Sequence, residues 1–86
     1  MKSYYEEAHR KTTHSREEIE KSNKCGCFYC LQVFDPEDIE VWSDNNDTPI
    51  CPHCYIDSVI GDAQGYPAAD IEFLKEMNKI FFRKEL

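Results

Sequence analysis

Five cysteines hold most of the chemistry open to this chain, and four of them fall into two matched pairs. Cys27 and Cys30 stand in C27-F-Y-C30, and Cys51 and Cys54 in C51-P-H-C54, with 20 residues between the pairs. A two-residue gap lets one tight turn aim two sulfurs at one point. Two such turns supply the four thiolates of a tetrahedral structural zinc site. The expected ligands are Cys27, Cys30, Cys51 and Cys54, with structural Zn2+ as the cofactor. Iron suits four thiolates as well.

C51-P-H-C54 taken alone fits another chemistry. A dithiol at a helix N-terminus can cycle through a disulfide, because the helix end stabilises its first thiolate. A thioredoxin-like fold, however, needs a central parallel sheet with strands after the motif. Only 32 residues follow Cys54, and they read as helix, loop and helix. That reading also leaves Cys27 and Cys30 unexplained. Thiol–disulfide exchange through Cys51 and Cys54 stays as an alternative, and no residue is assigned a catalytic role.

Two metal enzymes are tested by their residues. Zinc deaminases combine H-x-E with P-C-x-x-C, and no histidine here precedes x-Glu. HNH nucleases place metal-binding histidines on a treble-clef hairpin. The histidines here are His9, His14 and His53, all outside the expected hairpin.

The elements that must position the cysteines are short. Eighty-six residues make one domain, and such a chain buries only about 60% of its unfolded surface, so a metal is a common supplement to the core. We divide it into a helical N-terminal extension (1–24), a zinc-binding core (25–61), and a loop with a C-terminal helix (62–86). Capping-box spacing at Ser3/Glu6 and Ser15/Glu18 predicts helices over 3–11 and 15–23, broken at Thr12–His14. C25-G26-C27 reads as a tight turn. Ile39–Trp42 alternates as a half-buried strand, 44–47 is a turn, and Thr48–Ile50 is the return strand. Pro52 suits the first position of a helix, so 52–60 is read as a helix stopped by Gly61. A last helix spans 69–83 with Asp70 near its N-cap. Ile71, Leu74, Met77 and Phe81 share one face of it, widened by Phe73 and Ile80.

Turn, hairpin and helix, with the second ligand pair in the first helical turn, is the layout of a treble-clef zinc finger. The fold class is a small α+β zinc domain with helical extensions at both ends. The segment C27-F-Y-C30…I39-E-V-W42…I50-C51-P-H-C54-Y55 resembles a GATA-type finger in order, with a spacer three residues longer. The resemblance implies a fold over residues 27–60. GATA-type fingers bind DNA through basic residues, which this finger lacks, so DNA binding does not carry over. The longer string CGCFYC…W…CPHCYIDSVIGD…GYP…FLKEM is similar to a family of small uncharacterised bacterial cytoplasmic zinc-binding proteins. That similarity implies a bacterial, cytoplasmic setting and no particular activity.

Charge is distributed unevenly. Residues 1–24 carry six basic and five acidic side chains, 25–74 carry ten acidic and no Lys or Arg, and 75–86 carry four basic and two acidic. A core without Lys or Arg has no footprint for a phosphate backbone. The sequence has a mean hydropathy of −0.69, no apolar run long enough to span a membrane, and no export signal. We expect a cytoplasmic protein, where thiols stay reduced.

The functional expectation is a non-enzymatic, zinc-stabilised module that binds a protein, with a basic partner such as a nuclease toxin or a nucleic-acid-binding factor. A regulatory protein that touches nucleic acid is the alternative. It would use Arg10, Lys11, Arg16, Lys21, Lys24, Lys79, Arg83 and Lys84 on the terminal helices. A thiol redox or metal-dependent enzyme is the second alternative. Cys25 is expected as a small, partly buried side chain, with replacement of Cys27 as a ligand left open. Gly26 is expected to serve a turn. His53, His9 and His14 are expected at the surface. Trp42 and Phe34 should pack over the zinc site or the last helix, and Asp57, next to Ser58, should bond backbone near the second pair.

Overall fold

Three residues, Cys25–Cys27, form the strand on which the rest is built. The computed structural model describes residues 2–82. It contains helices α1 (Lys2–Arg10), α2 (Arg16–Lys21) and α3 (Ile71–Phe81), and strands β1 (Cys25–Cys27), β2 (Val33–Phe34), β3 (Trp42–Ser43), β4 (Thr48–Pro49) and β5 (Val59–Gly61). Strand β1 lies between β2 and β5 in an antiparallel sheet, pairing Cys25 with both Phe34 and Gly61. Strands β3 and β4 form a separate hairpin.

Alternation along β1 divides the interior. Gly26 and Phe28 face a cluster of Ala8, Ile60, Tyr66, Ala68, Phe73, Leu74 and Met77, which packs α1 and α3 against one face of the sheet. Cys25 and Cys27 face the other way, into a cluster of Ile19, Phe34, Ile39, Cys51 and Val59 that carries α2. Phe34 and Trp42 pack there beside Cys30 and Cys54, on the side of the cysteine pairs.

Most expected helices form, with shorter ends. Asp70 caps α3 by accepting the Glu72 N–H at 2.9 Å. Phe73, Leu74 and Met77 are the buried stripe of α3, and Ile71 lies 41% exposed. Ser15 stands at the N-cap of α2, but its hydroxyl donates to the Thr12 carbonyl and makes no cap bond. Ser3 falls inside α1 and caps nothing. The expected end of the last helix at residue 83 lies outside the described residues, as do Arg83 and Lys84. No described helix is long and apolar enough to cross a membrane.

The turn over 44–47 and the return strand form as expected, but the strand read over Ile39–Trp42 does not: β3 is Trp42–Ser43, because reciprocal bonds between Asp35 and Asp38 close a single 3-10 turn over Pro36–Asp38 that runs up to Ile39. Asp44, Asn45 and Asn46 all take left-handed φ (54°, 61° and 64°). Asp and Asn tolerate that region because their short side chains bond locally. Asp44 shows this by accepting the Thr48 hydroxyl at 2.9 Å.

Two further expectations fail. No helix forms over 52–60: residues 52–54 are a turn, and 59–61 are strand β5. Pro52 fits the first position of a tight turn as readily as that of a helix, and Val59 and Ile60 are β-branched residues buried on both sides of a sheet. The helix that a treble clef starts at its second ligand pair is therefore not formed at 52–60. Gly26 serves no turn either. It is a strand residue, and a Cβ there would run into the Ala68 carbonyl and come within 2.9 Å of Leu74 Cδ1. Glycine is needed here for close approach. Gly61 is similar: its Cβ would meet the Ser22 hydroxyl and Ile19.

Gly26→Ala should thus destabilise the domain by about 1–3 kcal/mol, the usual range for overpacking against neighbours that cannot retreat. Urea unfolding of the two proteins measures it, and equal midpoints would show that the α3 side of the sheet yields freely.

Candidate metal centre

Each cysteine pair is held by the same turn. After Cys27 the chain reverses so that the Leu31 N–H donates to the Cys27 carbonyl at 2.8 Å and the Cys27 N–H to the Gln32 carbonyl at 2.9 Å. After Cys51, the Tyr55 N–H donates to the Cys51 carbonyl at 3.0 Å and the Cys51 N–H to the Ile56 carbonyl at 2.9 Å. Leu31 and Tyr55 both adopt left-handed φ, 66° and 64°. The leading sulfur of each pair accepts an N–H two residues on: Tyr29 to Cys27 Sγ at 3.4 Å and His53 to Cys51 Sγ at 3.3 Å. The two turns are copies of one another in hydrogen bonding, though only one follows a strand of the sheet.

The rest of the fold brings the turns face to face. Asn78 of α3 donates to the carbonyls of Phe28 and Tyr29 at 3.0 and 3.2 Å, anchoring the first turn. The Phe28 N–H donates to the Ser58 carbonyl at 3.0 Å, continuing the pairing of β1 with β5 and tying the exit of the second turn to the first. The sulfurs of Cys27, Cys30, Cys51 and Cys54 consequently lie within 4.8 Å of one another. Cys25, although fully buried, lies outside this group.

Sulfurs meet across the turns at 3.6 Å from Cys27 to Cys54 and 3.7 Å from Cys30 to Cys51. A disulfide needs about 2.05 Å, and all five cysteines are free thiols. Four sulfurs about 2.3 Å from a central ion sit ~3.8 Å apart at the corners of a tetrahedron. The group therefore has the donor type, number and spacing to hold one metal ion.

Electrostatics agree with that use. Burial strongly raises the proton affinity of Cys27, against N–H donations from Cys30 and Tyr29. Burial likewise pushes Cys54 up to about 11. Cys51 is the exception: burial opposes its ionisation, but N–H groups of Cys54 and His53 and the thiols of Cys30 and Cys54 outweigh it and lower its pKa. Cys51 therefore gives up its proton more readily than Cys27 or Cys54, and a bound cation would replace the protons of all of them. Outside the group, burial pushes Cys25 up to about 12.

The remaining candidates fall elsewhere. His53 is exposed and offers the site its backbone N–H, with its ring 5.8 Å from that of Phe34. The His9 ring stacks on Phe81 at 4.3 Å, and His14 contacts Asp47 at 3.2 Å. Asp57 makes no side-chain hydrogen bond among the described residues, contrary to expectation, and the Ser58 hydroxyl is buried without a partner. Sequence reasoning missed Asn78, the side chain that clamps the first turn. An Asn on the flank of an apolar helix is too common a pattern to single out. Compared with known protein families, with curated proteins and with solved structures, the chain matches none.

Because each thiol gives up a proton to bind metal, occupancy should release protons and affinity should fall as pH falls from 8 to 6. Chelator competition at the two values tests this, and an unchanged affinity would contradict thiolate ligation. Cys25 has the opposite consequence. Its pKa is raised in the folded state, so its contribution is complete below about 9, the unfolded value, and is lost as pH climbs from there toward about 12. Cys25→Ala should flatten the alkaline loss of stability, read from urea unfolding at pH 7 and pH 10. An identical alkaline slope in the two proteins would show that Cys25 ionises equally in both states.

Proposed function

We propose that this chain is a non-enzymatic, zinc-stabilised binding module that acts on a protein partner. The four-sulfur cluster is the observation that carries the reading. Zinc with four cysteines is a closed site, with no position left for water or substrate. The sulfurs converge from two matched turns whose backbone bonds are complete, an arrangement suited to holding structure. Thiol exchange between Cys51 and Cys54 is less well supported, because each also meets a sulfur of the other turn, which a dithiol cycling alone does not need. A reducing compartment such as the cytoplasm suits such thiols.

A basic protein is the favoured partner. Residues 25–74 contribute ten carboxylates and no Lys or Arg to the surface and site. The basic residues of the helical ends favour nucleic acid less than their number suggests. Arg16 pairs with Glu20 at 2.8 Å, Lys21 with Glu17 at 3.5 Å, Lys24 with Asp35 at 2.7 Å and Lys79 with Glu76 at 3.9 Å. Cations already matched by carboxylates give less to a phosphate backbone.

Structural zinc contributes ~10–16 kcal/mol in small domains, more than most small domains retain in total. Native mass spectrometry should find one zinc per chain. Cys54→Ser should lower zinc content and leave the domain largely unfolded at 25 °C by circular dichroism. A metal-free protein with a sharp, chelator-insensitive melt would overturn the reading.

A further inference from the structure

One of the positions at which the two matched turns differ points outward. Leu31 and Tyr55 occupy the same left-handed site, where a residue with a Cβ is uncommon and strained. Leu31 has a packing role: it is half-buried against the α1–α3 core. Tyr55 has none. Its side chain is 68% exposed, and no aromatic ring among the described residues stacks on it.

Tyr55 instead forms one wall of a cleft of about 220 Å³, completed by Val41, Ile50, Pro52, Asp38 and Glu40. Its lining mixes apolar side chains with polar surface, and Val41 is itself 48% exposed. The lining holds two carboxylates and no Lys or Arg; the nearby Lys24, which acts on Asp38 through space, is itself paired with Asp35. Asp38 accepts one N–H, from Asp35, and Glu40 has no ion pair or hydrogen bond among the described residues. An open aromatic face, the apolar side chains of Val41, Ile50 and Pro52, and two carboxylates in one lining match a Lys or Arg side chain, whose alkyl stem lies on apolar groups while its charge meets the carboxylates. The chain already seats one cation in this way nearby. The Arg16 guanidinium lies 4.3 Å over the Trp42 ring and pairs with Glu20.

We infer that this cleft is the docking site for the Lys or Arg side chain of a partner protein's basic segment. The inference rests on the reading of the chain as a protein-binding module and gives that module its contact surface. Pro52 and Tyr55 belong to the second cysteine turn, so the cluster that holds the turn also holds the cleft wall.

Fluorescence anisotropy with a fluorescein-labelled peptide of alternating Gly and Arg tests the site on the zinc-loaded protein, with zinc content measured on every sample. Tyr55→Ala and Glu40→Gln should each weaken binding by about 2- to 30-fold, the span of a cation–π contact from exposed to desolvated. Glu6→Gln, on α1, should leave it unchanged. Equal losses in all three variants would reduce the effect to general charge attraction and overturn the proposal. So would no binding at low salt by protein that holds its zinc, a preference for an oligonucleotide over the peptide, or self-association abolished by Tyr55→Ala, which would give the face to a second copy of the chain. Folded protein without zinc that still binds the peptide through Tyr55 would overturn the metal reading and leave the docking site standing.

Discussion

Four cysteine sulfurs within 4.8 Å of one another set the constraint on which the rest of the structure depends. As thiols they are poorly hydrogen-bonded groups withdrawn from water, and as thiolates they would repel one another. A divalent ion at their centre removes both costs. The backbone is arranged accordingly, with each turn closed by two main-chain bonds and each leading sulfur accepting an N–H. The bonds that close each turn are main-chain ones, and the Asn78 side chain adds an outside clamp on the first.

The sheet turns this local order into a fold. Strand β1 ends in Cys27, the first ligand, and pairs with β5, which follows the second turn by four residues. The two turns are 20 residues apart in sequence but adjacent because one strand sits beside the other. The same strand separates the interior into two clusters, one sealed by α1 and α3 and one containing the cysteines and α2. Loosening of either layer is felt at the site. Asn78 shows the link from the helical side, since a residue of α3 fixes the carbonyls of Phe28 and Tyr29.

Charge adds a functional layer to this frame. The basic residues of α2, Lys24 and Lys79 are matched by carboxylates, whereas Asp38 and Glu40 line a cleft with Tyr55 and make no ion pair among the described residues. Surface pairs of this kind contribute little to stability, about 0–1 kcal/mol each. Their effect is on what the surface presents: an acidic face beside the cysteine turns, and helical ends whose positive charge is partly answered from within.

The cysteine spacing alone determined which four residues would meet, because C-x2-C is a local geometry that a single turn satisfies. The turn at 44–47 and the cap at Asp70 were legible for the same reason: Asp and Asn act over a few residues, whereas the alternation of Ile39–Trp42 placed the first strand of the hairpin too early. Tertiary structure decided what short segments could not encode. C25-G26-C27 is too brief to show a strand period, and it becomes one only by pairing with Val59–Gly61, more than thirty residues away. Residues 52–60 carry a proline suited equally to a helix or a turn, and the burial of Val59 and Ile60 between two layers settled it as turn and strand. Gly26 and Tyr55 have ordinary local contexts. The nearness of Ala68 and Leu74 explains the one, and an unfilled cleft gives the other a use, because both depend on neighbours that sequence distance conceals.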